Sequence, residues 1–132
     1  MPVLTDFQLP ESPAGLTAPP GSSTFFVVFV SSTDPATQAP WCPEVRACLP
    51  GLRAKFTPES APALAIVEVG ERPEWRRPTN VYRTRWNIKG VPTMVRYREV
   101  DGEVTEDGRF EGSDVLGVEA MLDSLVAGEP FT

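Results

Sequence analysis

The apolar residues of this chain fall into alternating strand-like and helix-like stretches. Residues 24–31 are apolar except at their two ends, which predicts a central strand covered on both faces by helices. Five apolar side chains then share one face of a predicted helix that begins at Pro43: Val45, Cys48, Leu49, Leu52 and Phe56. Pro50 lies inside this pattern and should kink the helix, because proline has no N–H to donate to the carbonyl of Arg46.

The middle of the chain predicts a second strand and a short helix. Residues 63–69 form another apolar run of strand length. Residues 72–78, which include two prolines, predict a loop. Residues 79–86 suit a short helix with Thr79 or Asn80 as its N-cap, because both side chains can accept a hydrogen bond from a free N–H of the first turn.

A hairpin and a closing helix complete the predicted elements. Residues 93–100 and 103–110 alternate between apolar and polar side chains, and Asp101-Gly102 between them is a two-residue turn signal. Residues 114–127 carry an apolar helical stripe. Strand, helix, strand and helix followed by a hairpin and a helix predict an α/β fold with a mixed central sheet and helices on both faces.

The chain predicts a single folded domain behind an irregular arm. It has 132 residues, of which 41% are hydrophobic, enough for one core. Residues 1–23 contain five prolines, and only residues 3–9 are suited to a strand. We therefore expect a proline-rich arm over residues 1–23 and one domain over residues 24–132.

Composition and charge exclude several classes of function. With a net charge of −6 and no dense cluster of lysine and arginine, the chain is not expected to bind nucleic acid. No basic segment precedes an apolar core at the N-terminus, and no apolar run approaches the roughly 20 residues that span a bilayer, so a cytoplasmic protein without membrane contact is expected. Two cysteines and no histidine argue against a disulfide framework, a zinc site and histidine-based catalysis; we expect no metal and no cofactor.

The segment Trp-Cys-Pro-Glu-Val-Arg-Ala-Cys at residues 41–48 carries the candidate chemistry. Cys42 should lie at a helix N-terminus, where the helix dipole and free N–H groups favour a thiolate. A dithiol site needs its second cysteine three residues later, and that position is Val45. Cys48 is six helical residues from Cys42, a rise of about 9 Å, whereas disulfide Cα atoms lie within roughly 7 Å. Cys48 is therefore not expected to reach Cys42, and its place on the apolar stripe of the helix predicts that it is buried and inert.

Three motifs together resemble the thioredoxin domain-containing protein 17 family over about residues 24–125. They are Trp-Cys-Pro at residues 41–43 with Pro50 downstream, Gly-Glu-Arg-Pro-Glu-Trp at 70–75 and Trp-Asn-Ile-Lys-Gly-Val-Pro-Thr at 86–93. The resemblance implies a thioredoxin-like fold and a Trp-Cys-Pro-Asp-Cys site that reduces disulfides and related thiol adducts. Glu44 matches the acidic position of that site, and Val45 stands where the family has its second cysteine.

The resemblance also implies a substrate groove around Cys42. The Val91-Pro92 bond is expected to be cis and to face the thiol, with Gly90 as a flexible turn ahead of it. Trp41 and Trp75 are expected at an apolar rim, whereas Trp86 is assigned to the core. The candidate groove residues are Trp41, Pro43, Glu44, Val45, Trp75, Val91 and Pro92.

Two functions follow from these residues. In the first, Cys42 acts alone as a monothiol oxidoreductase on protein or low-molecular-weight disulfides or thiol adducts, and an external thiol such as glutathione or a thioredoxin reductase system completes the cycle. In the second, the site is redox-silent and the domain is a peptide-binding or adaptor module that uses the groove of Trp41, Val91 and Pro92.

Overall fold

The computed structural model describes residues 3–4, 7–59 and 61–112. Its strands and helices, in chain order, are β1 (Val3–Leu4), β2 (Thr24–Val30), β3 (Thr33–Asp34), β4 (Ala39–Pro40), α1 (Pro43–Phe56), β5 (Ala63–Glu68), α2 (Arg72–Arg76), α3 (Val81–Thr84), β6 (Thr93–Val100) and β7 (Glu103–Glu111). The predicted closing helix, residues 114–127, lies outside the described residues.

A five-stranded mixed sheet organises the described part of the chain, with the order β1-β5-β2-β6-β7. Strand β2 is central: it pairs in parallel with β5 and antiparallel with β6. Every residue of β2 after Thr24 is buried, so side chains on both faces of this strand are covered. The apolar run predicted to be the middle of the sheet is confirmed as its central strand.

Helix α1 packs the predicted apolar face against this sheet. Its buried side chains are Val45, Cys48, Leu52 and Phe56, and Leu49 is half-buried. The ring of Phe56 meets that of Phe26 on β2 edge-on, with 5.2 Å between centroids. Pro50 lies within the helix on its exposed side. The helical stripe predicted from residue spacing is confirmed.

The hairpin of β6 and β7 turns where the sequence predicts. Asp101 and Gly102 have φ values of 54° and 82°, the paired positive angles of a two-residue turn that matches strand twist. The pairing shifts between Arg96 and Tyr97, so that Asp107 is an extra residue on β7. Its carboxylate lies 2.5 Å from the guanidinium of Arg96, a side chain only 2% exposed. This bulge supplies the counter-charge that a buried arginine needs.

The prediction of a loop over residues 72–78 is wrong, because Arg72–Arg76 form helix α2. Pro73 lies in the first helical turn, where a main-chain N–H has no helical partner and its loss costs little. Glu71 and Glu74 form a reciprocal capping box. Local capping therefore outweighs the loop-forming tendency of the prolines.

The predicted helix within residues 79–86 is present as α3, and Asn80 is its cap. The Asn80 side chain accepts a hydrogen bond from the N–H of Tyr82 at 2.9 Å. In the arm, β1 pairs in parallel with β5, and Leu16, just after a short 3-10 turn, is 5% exposed. Part of the proline-rich arm thus adds to the sheet and the core.

Candidate thiol site

Cys42 is held by its main chain at the start of α1. It is the N-cap residue and is half-buried. Its N–H donates to the Oγ of Ser31 at 3.2 Å, and its carbonyl accepts from the N–H of Arg46 at 3.1 Å. Because Ser31 directly follows β2, the position of the thiol is tied to the central strand.

The thiol faces the segment that precedes β6. The Sγ of Cys42 lies 3.6 Å from the carbonyl oxygen of Val91, within reach of a weak S–H donor. The Val91–Pro92 peptide bond is cis. The Pro92 carbonyl accepts from the N–H of Gly112 at 2.8 Å, which joins this segment to the end of β7. The fold thus brings Cys42 and the Val91–Pro92 segment together, as the resemblance implies.

Trp41 is fixed beside the thiol by the loop after β5. Its indole N–H donates to the carbonyl of Gly70 at 3.0 Å. The guanidinium of Arg72 lies 5.2 Å from the centre of the Trp41 ring and donates to the Trp41 carbonyl at 3.4 Å. The N–H of Gly70 in turn donates to Ser32 Oγ at 3.0 Å. These bonds connect the loops that follow β2 and β5 and hold the half-buried indole in place.

Two residues assigned to the groove belong to the core instead. Val45 is completely buried, because it lies on the face of α1 that packs against the sheet. Trp75 is 6% exposed, and the guanidinium of Arg83 lies 3.9 Å from the centre of its ring. Neither side chain offers an open rim to a substrate, so this part of the prediction is wrong for Val45 and Trp75.

The other predicted groove residues surround Cys42 in different ways. Pro43 and Glu44 are exposed in the first turn of α1. Val91 and Pro92 have buried side chains, so the Val91 contribution to the site is its main-chain carbonyl.

Cys48 is buried, as predicted from the helical stripe. Its side chain has no exposed surface, and its Sγ lies 3.8 Å from the carbonyl of Val45 one turn earlier. Neither cysteine forms a disulfide bond. Cys42 is therefore the accessible thiol of the pair.

No group of three metal-ligating side chains is gathered anywhere in the described ranges. Within the same ranges, no helix is both long and apolar enough to cross a bilayer.

Sequence reasoning missed Ser31, Ser32, Gly70 and Arg72 as supports of the site. The serine pair at the end of a buried apolar run is a signal that could have been used, since a strand end leaves main-chain groups in need of partners. The stacking of Arg72 on Trp41 has no local signal, because the two residues are 31 positions apart.

A mixed sheet with a cysteine at the start of its first long helix is the architecture of a thioredoxin-like protein. The chain superposes on thioredoxin from Trichomonas vaginalis with a TM-score of 0.54 at 14% identity, covering 77% of this chain and 78% of that one. Thioredoxin from Plasmodium falciparum gives 0.55 at 16% identity, covering 79% and 72%. At these identities the likeness establishes the fold.

Sequence similarity then identifies the family. The chain belongs to the thioredoxin domain-containing protein 17-like family, whose thioredoxin-domain model matches residues 14–122. It is 38% identical over 84 residues to thioredoxin domain-containing protein C21C3.12c of Schizosaccharomyces pombe, covering 63% of this chain and 68% of the relative. Thioredoxin-like protein Clot of Arabidopsis thaliana is 34% identical over 90 residues, with coverages of 65% and 63%.

Human thioredoxin domain-containing protein 17 is 32% identical over 75 residues, covering 56% of this chain and 60% of the relative. The matched part thus spans 60% to 68% of these three relatives.

Proposed function

We propose that the protein is a thiol oxidoreductase that acts through Cys42 alone. The observation that carries this proposal is the thiol at the N-cap of α1, half-buried and 3.6 Å from the Val91 carbonyl. The position one helical turn later is the buried Val45, and the other cysteine, Cys48, has no exposed surface. A single accessible thiol is enough to attack a disulfide.

The proposed reaction has two exchange steps. The Cys42 thiolate attacks one sulfur of a disulfide R–S–S–R′, the new Cys42–S–S–R bond forms, and R′ leaves as a thiolate that takes a proton from water. The thiolate of glutathione, or of a thioredoxin reductase system, then attacks the R sulfur and releases Cys42. Each step exchanges one disulfide bond for another, so the external thiol is the reductant.

Substrate binding would use the main chain of Val91. An extended peptide could pair with this segment as an added strand and place its disulfide beside the Cys42 sulfur. The hydrogen bonds that hold Cys42 to Ser31 and Pro92 to Gly112 keep both sides of this position rigid. The proposed substrates are protein disulfides and low-molecular-weight disulfides or thiol adducts.

Incubation with oxidised glutathione followed by intact mass measurement tests this function. We expect one glutathionyl group per chain, and we expect the adduct to persist until an external thiol is added. Cys42→Ser should abolish the adduct, whereas Cys48→Ser should retain it. An unmodified wild-type protein, or one with an internal Cys42–Cys48 bridge, would contradict the proposal.

A redox-silent adaptor is the competing function, and the complete burial of Val45 favours it, since the second redox position has become part of the core. An adaptor would bind peptides through the Trp41 and Val91 surface without using the thiol. Cys42→Ala would then leave peptide affinity unchanged while oxidised glutathione leaves the wild type unmodified. The glutathionylation measurement therefore separates the two functions.

A further inference from the structure

A pocket of about 270 Å³ adjoins the turn that carries Cys42. It lies between the β3–β4 hairpin and the starts of α1 and α2, and its principal lining residues are Asp34, Thr37, Trp41, Arg46, Glu71 and Arg72. Trp41 directly precedes Cys42, and the N–H of Arg46 donates to the Cys42 carbonyl. The pocket and the reacting sulfur are therefore attached to the same turn.

The polar groups that line the pocket are only partly used by hydrogen bonds within the chain. The Asp34 carboxylate accepts from the N–H of Ala36 at 2.8 Å, and Glu71 is engaged in the capping box of α2. Arg46 donates to the Pro40 carbonyl at 2.6 Å, and Arg72 donates to the Trp41 carbonyl.

Neither Arg46 nor Arg72 forms an ion pair with another described residue. Since a guanidinium has five N–H donors, both retain donors for a ligand carboxylate.

We propose that this pocket binds a carboxylate of a low-molecular-weight disulfide while Cys42 attacks the disulfide sulfur, glutathione disulfide being a substrate of this kind. This inference rests on the proposed function of Cys42. The volume suits an amino-acid-sized end group, and the open donors of Arg46 and Arg72 would bind its carboxylate. The reaction is the first exchange step above, with the Cys42–substrate disulfide formed and the second half of the substrate released as a thiolate.

The net charge of the chain makes this proposal testable through the sign of the substrate charge. A chain of net charge −6 should repel anionic disulfides and attract cationic ones if no local site intervenes. The pocket holds two guanidinium groups and the carboxylates of Asp34 and Glu71, so its formal charge is zero, and an anionic disulfide would be favoured there through the open donors of the two arginines. The order in which anionic, neutral and cationic disulfides react with Cys42 therefore shows whether the pocket binds a carboxylate.

The experiment compares three small symmetric disulfides: 3,3′-dithiodipropionate, which is anionic, bis(2-hydroxyethyl) disulfide, which is neutral, and cystamine, which is cationic. Intact mass measurement gives the rate at which each disulfide modifies Cys42. This rate is divided by the rate at which the same disulfide reacts with 2-mercaptoethanol, so that differences in the intrinsic reactivity of the disulfides cancel. We expect dithiodipropionate to react fastest with the wild type, and glutathione disulfide to be favoured over the neutral compound as well.

Substitutions of the pocket arginines assign the effect to the site. Arg72→Gln and Arg46→Gln should each lower the anionic-to-neutral rate ratio by about three- to tenfold, the range expected for one charge-assisted contact near the surface. Arg76→Gln is the matched control, because Arg76 is exposed on the same helix as Arg72 and does not line the pocket. It removes the same charge and should leave the ratio unchanged.

Several outcomes would overturn the pocket while leaving the thiol chemistry intact. These are a wild-type preference for cystamine, a ratio that is insensitive to both pocket substitutions, or an equal loss in Arg76→Gln. Failure of all three disulfides to modify Cys42 would instead overturn the proposed function.

Discussion

The hydroxyl of Ser31 accepts a hydrogen bond from the main-chain N–H of Cys42 across 3.2 Å. Ser31 is 2% exposed and directly follows the central strand β2. The bond therefore anchors the thiol-bearing turn to the most buried part of the sheet. It also satisfies an N–H at the beginning of α1 that has no partner within the helix.

Ser31→Ala should weaken both the fold and the site. The substitution leaves the Cys42 N–H without its partner, so we expect the free energy of unfolding in urea to fall by about 1 kcal/mol. We also expect slower glutathionylation of Cys42, because its position is less fixed. Ser23→Ala makes the same chemical change at an exposed position and is the control. Equal behaviour of the two variants would show that the Ser31 hydroxyl does not position Cys42.

Val45→Cys should create a dithiol site. Residues three apart on a helix have Cβ atoms about 5–6 Å apart, close enough for a disulfide with small adjustment. Because Val45 is completely buried and cysteine is a smaller apolar side chain, the fold should tolerate the change. Mild oxidation should then remove two hydrogen atoms from the chain, measured by mass, and disulfide reduction with dithiothreitol should rise. Val45→Ala, which adds no thiol, should show neither effect; absence of a bridge in Val45→Cys would contradict the assigned geometry.

Gly70→Ala should destabilise the loop that holds Trp41. Gly70 has a φ of +109°, and a β-carbon there would lie 3.0 Å from Cβ of Glu74. We expect a loss of about 1–3 kcal/mol in the free energy of unfolding, measured by urea denaturation. Gly90→Ala is the control, because a β-carbon there meets no atom within 4 Å. If both substitutions cost the same, the strain assigned to Gly70 is wrong.

Both tyrosines should ionise late in the native protein. Burial raises the pKa of Tyr82, and burial followed by the nearby charge of Glu106 raises the pKa of Tyr97. The folded state thus favours the neutral phenols, and this contribution to stability is complete below the unfolded value of about 10. It is lost as pH rises through the folded pKa values. Phenolate absorbance should have its native midpoint above that seen in urea; coinciding midpoints would contradict the burial of the two rings.

Short-range patterns account for the elements that were predicted correctly. Strand β2 was predicted from an uninterrupted apolar run, the pattern of a strand that is buried on both faces. Helix α1 was predicted from the spacing of Val45, Cys48 and Phe56, the pattern of a helix that is buried on one face. The Asp101-Gly102 turn depends on two positive φ angles that those residue types accept. Helix α2 differs from the predicted loop because its one proline, Pro73, lies in the first helical turn, where proline costs the helix little.

The sequence by itself determined that one cysteine lies at a helix start, that Val45 follows it one turn later and that histidine is absent. It also carried, through three separated motifs, the family resemblance. Only the tertiary structure decided that Ser31 and Val91 are the partners of Cys42 and that Arg72 lies over Trp41. It also decided that Trp75 is buried rather than exposed at the site. The physical reason is that periodicity and capping act over a few residues, whereas these contacts join segments as far as 49 positions apart. Their meeting depends on which strands pair and on how the helices cover the sheet.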